Sequence, residues 1–411
     1  MSTSAPTPST AGPRVAVIGA GIVGSCIALA LRKRGAAVTL FDRDGPASGC
    51  SYGNSGAISV SSIAPLAMPG VLASVPKMLV DPESPLHLRL TYLPAAAPWL
   101  TRFVLSATPE RVEHAAAALA ALHAGAIEKH AALTREVGVP ELFLQRGHLH
   151  LYPNAGALDA DGDAWRLRER FGFRFERLDR AGIDALEPGV SPRYQAAIYL
   201  ADHATILNPA RYTRAIADAC IARGGQLVRD EILHMSHRAD GWTLQGAQGS
   251  YTADHVVVAA GAWSRHLLDP LGVRLPLESQ RGYHVQFTGV RDVVSRTVVL
   301  TDRKIFVTPM EDGLRVGGTV EIAGLKRAPD PKRAAILERI ARETFSGLDG
   351  KPVTTWMGHR PCMPDSVPVV GAAKGHRGLW LAVGHGHLGL TDSVNTAEQI
   401  ADALLDTGTQ R

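Results

Sequence analysis

The chain has little cysteine: Cys26, Cys50, Cys220 and Cys362 are scattered through 411 residues, and none forms a CxxC pair. That excludes a disulfide scaffold and predicts a reduced, cytoplasmic setting. Charge of one sign is equally scarce, with a formal net charge of +4. Nucleic acid is therefore not an expected partner, because such a binder needs basic residues clustered on one face. Residues 1–13 have neither a basic start nor an apolar core, so they read as a flexible tail rather than a secretory signal. The longest apolar stretch, Val15 to Leu31, is interrupted by Gly19, Gly21 and Gly24, which argues against a membrane span. There is no internal repeat and no low-complexity segment beyond the tail. Hydrophobic residues at 45% and charged residues at 20% leave an ordinary globular chain of two or three domains.

Val15–Ile18 is a short β-branched run followed at once by Gly19-Ala-Gly21-Ile-Val-Gly24. An apolar helix pattern then runs to Arg34 and is stopped by Gly35. Val38–Phe41 is a second buried strand, so the first thirty-odd residues of the fold form a βαβ unit. From Ser59 to Phe103 prolines recur, which predicts short helices and loops with an apolar surface. Glu110–Val137 reads as one Ala-rich helix, Asn208–Ala222 as a helix opened by Pro209, and Pro331–Phe345 as another. Residues 147–152, 198–200, 226–228 and 242–244 alternate like strands. Tyr283–Phe287, Ile305–Val307 and Leu314–Val316 suggest an antiparallel sheet turning at Glu311-Asp-Gly313. His255–Val258 and Leu379–Val383 are buried strands, and a helix from Thr391 to Leu405 closes the chain. The expectation is an α/β fold: a discontinuous dinucleotide-binding domain from 14–60, 200–265 and 355–411, and an inserted α+β domain from 61–199 and 266–354.

Chemistry concentrates in the first unit. A GxGxxG between strand and helix lets the backbone approach a pyrophosphate, which meets the open N–H groups and positive dipole end of the helix. Asp42, eighteen residues past Gly24, stands where a carboxylate accepts both hydroxyls of a ribose, and it argues against NADP. The loop Ser48–Ile58 is dense in small residues with hydroxyl and amide groups and suits a flat ring with a second phosphate. On these residues alone, an NAD-dependent dehydrogenase stays open beside a flavoprotein.

Val17–Gly24, Ser51–Gly56, Val256–Trp263, Gly358–Pro361, Pro364–Pro368 and Gly384–Gly389 together resemble the flavin amine-oxidoreductase family that contains D-amino-acid dehydrogenase, glycine oxidase and D-amino-acid oxidase. The stretch Ser59–Phe103 resembles the D-amino-acid dehydrogenase branch. The resemblance implies a Rossmann-like FAD domain. Gly19, Gly21, Ile22, Val23 and Gly24 would lie on the FAD diphosphate, with Asp42 and Arg43 at the adenosine. Ser48, Ser51, Asn54, Gly56 and Ile58 would follow the pyrophosphate and isoalloxazine. Ile232, Ala260, Gly261 and Trp263 would border adenine and diphosphate, while Gly386, His387, Leu388, Gly389, Leu390 and Thr391 would face flavin N1 and O2. His385 and His387 read as spacers rather than metal ligands, because no carboxylate or cysteine pattern joins them.

The same resemblance assigns Arg360 to the substrate carboxylate, which a guanidinium grips through two parallel hydrogen bonds. Tyr283 is a second candidate contact, with a plain sheet-core role as its equal alternative. FAD is expected to be noncovalent, although Cys362 near Arg360 raises the covalent option. No side chain is assigned as a base, since the cofactor carries the redox step. The implied reaction is oxidation of a D-amino acid to an imino acid that hydrolyses to a 2-oxo acid and ammonia, with electrons passing to a quinone or carrier. An oxygen-using oxidase of glycine, sarcosine or a cyclic imino acid, and a noncatalytic FAD-binding subunit, are the alternatives. Residues 60–103 either dock on the inner face of a membrane or wall the substrate pocket. Oligomeric state is not legible.

Overall fold

The computed structural model describes residues 12–69, 86–239 and 241–406. Most of the expected tail, and Gly70, Pro76, Pro82 and Pro85 of the proline-rich stretch, lie outside the described residues.

Two large sheets organise the chain. The first has six strands in the order Gln226–Val228, Ala37–Phe41, Arg14–Ile18, His255–Val258, Leu379–Val383 and Val369–Ala372. The first five run parallel and the last is antiparallel. Near-continuous apolar runs suit strands covered on both faces. The helices Ile22–Lys33, Pro209–Ala222 and Gly389–Asp406 share a core with this sheet, through Ile27, Leu31, Ile216 and Ile400 against Val17 and Leu40. Each such side chain contributes about 1.5–3 kcal/mol on full burial.

The second sheet carries eight strands along one path. It starts at Val353–Cys362, Glu278–Thr288 and Gly313–Ile322 and ends at Glu176–Asp179, while Leu86–Leu88 adds in parallel to Gly313–Ile322. The helix Pro331–Thr344 covers one side through Ala334, Leu337 and Ile340. The expected antiparallel strands and the turn before Gly313 are found here. Val353–Cys362 pairs with the second sheet along Val353 to Cys362, so the division expected at residue 355 falls inside a strand.

Three local expectations differ from the structure. The Glu110–Val137 helix is two helices, Pro109–His123 and Ala126–Glu136, because Gly125 takes φ 65° and turns the chain out of the right-handed well. Conversely, Leu93–Leu105 is a thirteen-residue helix despite Pro98 inside it. Tertiary anchoring outweighs propensity there: Ala96 and Trp99 are buried, and Trp99 Nε1 donates to the Cys362 carbonyl at 3.1 Å. The short helices Ala155–Ala160, Gly162–Arg170 and Arg180–Leu186 gave no clear periodic signal. Among the described residues no helix is long and apolar enough to cross a membrane.

Several histidines lie inside. His148 and His203 pack at 4.9 Å between ring centroids, and His130 shares a hydrogen bond with the Tyr212 hydroxyl at 3.0 Å. Burial pushes His130 and His148 down to about 4. These rings fold neutral, whereas in the unfolded chain they titrate near 6.5. The unfolded state therefore binds more protons below that value, and stability is full above about pH 6.5 and lost as pH falls toward 4, with a slope of about 1.4 kcal/mol per pH unit for each ring. The urea midpoint should fall between pH 7 and pH 5, and His148→Gln should reduce its pH slope. A midpoint flat across that interval would contradict this account.

Candidate active site

The first cleft opens where the parallel strands end. Gly19 has φ 108°, and a Cβ there would lie 2.4 Å from the Ala259 carbonyl oxygen. A Cβ on Gly24 would sit 1.8 Å from the Gly19 carbonyl oxygen, so the helix packs this closely only because the residue is glycine. Helix Ile22–Lys33 begins at Gly21 with no side-chain cap, leaving its N-terminal end as an anion site. The Ile22 N–H donates to Ser51 Oγ at 2.8 Å, which draws the following loop across the helix start.

Asp42 closes the outer end. Its carboxylate accepts from the N–H of Ala20 at 2.8 Å and from those of Asp44 and Gly45 at 3.0 Å each. The acid thus locks the glycine turn to the end of the second strand while still bordering the cleft. Opposite it stand Ile232, Ala260, Gly261 and Trp263. The Arg43 guanidinium lies 4.6 Å from the centroid of the Trp263 ring and pairs with Asp44 at 2.9 Å and Glu231 at 3.5 Å. Gly386, Gly389 and Leu390 close the inner end.

Other expected residues stand behind this surface. Ser48 donates to the Asp44 and Gly45 carbonyls, within the turn. Asn54 borders the cleft, and its Oδ1 accepts from the Gly56 N–H at 2.7 Å, fixing the loop rather than reaching across it. Gly56 meets the Ile206 carbonyl, Ile58 is buried, and Thr391 Oγ1 accepts from the Ser59 N–H at 3.1 Å. Asn54 lines the cleft, whereas Ser48, Gly56, Ile58, Thr391 and Gly24 shape it from behind.

The cleft runs into a chamber of about 520 Å³, the two sharing Cys50, Asn54 and Gly386. One wall is strand backbone and carries Gln280, Gly282 and Arg360; the other is apolar, with Leu86, Leu88, Trp99 and Phe103. Arg360 faces Gln280 across the strand pair, and its guanidinium lies flat on Gly282, where a Cβ would be 2.2 Å from Cζ. Pairing with Gly313–Ile322 slips at this point, between Arg281 and Tyr283. Thr319, at φ 57°, accepts from Nη1 at 2.8 Å through its carbonyl, and Gly318 accepts from Nη2 at 3.4 Å.

Two arginines of this sheet differ sharply. Arg281 is fully buried and faces Glu321 at 3.3 Å. Arg360 has no carboxylate within ion-pair distance among the described residues. Burial lowers its pKa, yet a guanidinium remains charged at neutral pH. A cation held by two carbonyls, with donors to spare, has the chemistry to take an anion. The Tyr283 ring also borders the chamber, but its hydroxyl donates to Glu321 Oε2 at 2.6 Å and accepts from the Asp330 N–H at 3.0 Å.

Sequence reasoning missed several residues here. Trp356 fits between Gly53 and Gly358, where a Cβ would come within 2.2 and 2.0 Å of its ring, and it stacks on His284 at 5.0 Å. Only the recurrence of glycine around a tryptophan hinted at this slot. Trp99 and Phe103 stack at 5.3 Å, and only their spacing of four signalled a shared helix face. Cys50 and Cys362 are both near Arg360. Burial pushes their thiols up to about 11 and about 12, which leaves them protonated and poor nucleophiles.

The FAD dependent oxidoreductase family model matches residues 14–403. The chain is 39% identical to a D-amino-acid oxidase of Bradyrhizobium diazoefficiens over 96% of its own length and 95% of the relative's. It is 34% identical to a D-amino acid dehydrogenase of Dechloromonas aromatica, covering 95% and 96% of the two chains. The fold is similar to glycine oxidase from Geobacillus kaustophilus, with a TM-score of 0.74 at 20% identity over 96% of this chain and 95% of that one. It is also similar to L-proline dehydrogenase from P. horikoshii, with a TM-score of 0.74 at 18% identity over 97% and 94%.

The glycine cradle, the helix start at Gly21 and Asp42 fit a dinucleotide, so the cleft suits FAD. Asp42→Asn replaces an acceptor of three N–H groups by a side chain with one oxygen and a donating amide. FAD binding, read by flavin fluorescence during titration of the apoprotein, should weaken about tenfold to a hundredfold, matching about 1.5–3 kcal/mol for a charged hydrogen bond. Unchanged affinity would remove Asp42 from the cofactor site.

Proposed function

The chain belongs to the FAD dependent oxidoreductase family, and from that premise we propose that it oxidises the Cα–N bond of a D-amino acid to an imino acid, which water converts to a 2-oxo acid and ammonia. It is an FAD-dependent enzyme. The observation that carries the substrate reading is Arg360: a cation at the chamber wall, oriented by two carbonyls and without a carboxylate partner among the described residues. A substrate carboxylate completes it. The relatives named for D-amino acids support the choice of enantiomer.

In this reading Gly19, Gly21, Ile22, Val23 and Ser51 hold the pyrophosphate of FAD, and Asp42 holds the ribose. Arg43, Ile232 and Trp263 border the adenosine, and the Gly386–Leu390 turn meets the flavin at the junction of cleft and chamber. Bound FAD supplies the two-electron acceptor for the Cα hydride. Arg360 fixes the carboxylate in position and rotation, so the Cα–H bond has one approach to the cofactor. The apolar wall excludes water and receives the side chain. Segments 14–60, 200–265 and 355–411 hold the cofactor, and 61–199 and 266–354 shape the substrate side, with Arg360 on the strand that links them.

The electron acceptor in this proposal is a quinone or carrier, met at the apolar face of the helix Leu93–Leu105. Leu93 and Leu105 at its ends and Leu90 just before it expose 39%, 55% and 77% of their surface, while its Trp99 and Phe103 line the chamber. Contact with a membrane surface through 60–103 follows the same argument. Dye reduction without oxygen uptake supports this acceptor, whereas rapid oxygen uptake selects the oxidase alternative.

Anaerobic addition of D-amino acids should bleach the flavin bands. Arg360→Met should retain FAD while kcat/KM falls about a thousandfold or more, roughly 4 kcal/mol. A near-normal kcat/KM in that variant would end the assignment.

A further inference from the structure

An amino acid arrives at neutral pH as an ammonium, and its nitrogen lone pair must be free before Cα can give up hydride. No aspartate or glutamate is among the described residues that line the chamber. Its imidazoles belong to His284 and His387. His284 is spent: it is buried, stacked on Trp356, and its Nδ1 meets the Gly53 carbonyl at 3.1 Å. His387 has no such commitment. Its side chain lines the chamber and, unlike that of His284, is exposed.

The backbone explains why His387 stands next to Arg360. Gly386 N–H donates to the Pro361 carbonyl at 2.8 Å, and His385 forms an antiparallel bridge with Cys362. The closing turn is thus stitched to the strand end that carries Arg360.

We propose that His387 is a catalytic residue that accepts the proton of the substrate ammonium. The step balances simply: the N–H bond breaks, an imidazole N–H forms, the nitrogen keeps the electron pair, and the proton later leaves through the chamber mouth. This rests on the amino-acid reading of the site. Three charged or titratable groups act on His387: Arg360 from the strand, Asp392 from the helix Gly389–Asp406 and His123 from the helix Pro109–His123. Desolvation among the chamber walls first, and then the Arg360 charge, lowers the pKa of the free ring, so it is neutral and ready to accept. A substrate carboxylate on Arg360 cancels that repulsion, and the imidazole becomes a stronger base only when substrate is bound.

The test uses the FAD-loaded enzyme. In the wild type the rate of flavin bleaching should change little across neutral pH. His387→Gln and His387→Asn should both be slowed about a hundredfold near pH 7. Their rates should climb about tenfold per pH unit, as the fraction of free amine does, and approach the wild type at high pH. The second readout needs no turnover: 2-aminoisobutyrate has the ammonium and carboxylate but no Cα–H. Its binding should raise the pH at which the His387 ring titrates in the 15N spectrum, with the variants supplying the assignment. A ring titration that does not move, or variants that keep the wild-type pH profile, would overturn His387 as the acceptor while leaving amino-acid oxidation intact. A wild-type flavin untouched by every amino acid would overturn the parent reading and this one with it.

Discussion

The hydrogen bond from the Gly386 N–H to the Pro361 carbonyl joins the two halves of the active centre. The turn before the last helix grows from the six-stranded sheet, whereas Pro361 ends a strand of the second sheet. At that contact the cleft becomes the chamber, and residues from both sides line the junction. The cofactor-side loop and the arginine side chain hold a fixed relation because backbone holds backbone, with no long side chain between them. This is the precision a redox site needs, where an error of about 1 Å costs rate steeply.

The energetic logic of the chamber is an imbalance between a buried and a half-buried arginine. Arg281 and Glu321 neutralise each other inside the sheet, and Arg89 and the Tyr283 hydroxyl also meet that glutamate. Arg360 sits one strand away and, among the described residues, has carbonyl partners and no carboxylate. Carbonyls orient a guanidinium without cancelling its charge, so its desolvation is left for an incoming anion to relieve. The bulge at Thr319 turns a carbonyl toward the guanidinium, which places the local backbone strain beside Arg360.

Much of this was legible in the sequence. The GxGxxG turn and Asp42 carry their own geometry, because each glycine answers a contact within a few residues or across one neighbouring strand. The parallel strands were readable as apolar runs. The break at Gly125 was missed because a helix of alanines looks continuous unless one glycine is given a left-handed turn. The thirteen-residue helix around Pro98 was missed because its stability comes from Trp99 reaching Cys362, a contact spanning 263 positions. The chamber was least legible of all. Its lining comes from the closing turn and from strands paired out of chain order, and the place of His387 beside Arg360 depends on a bridge that no local pattern reveals.

The Trp356 slot has a mechanical consequence. Gly53 and Gly358 press against the indole, and His284 stacks on it, so this side of the chamber cannot yield without moving backbone. The opposite side is built from three residues of edge strand and a helix interrupted by proline. Between them the chamber has one hard jaw and one compliant jaw. Fitting a larger or smaller side chain is then work for the compliant jaw, and inherited changes in substrate preference should accumulate along Leu86–Leu88 and Leu93–Leu105 while the tryptophan and its glycines stay as they are.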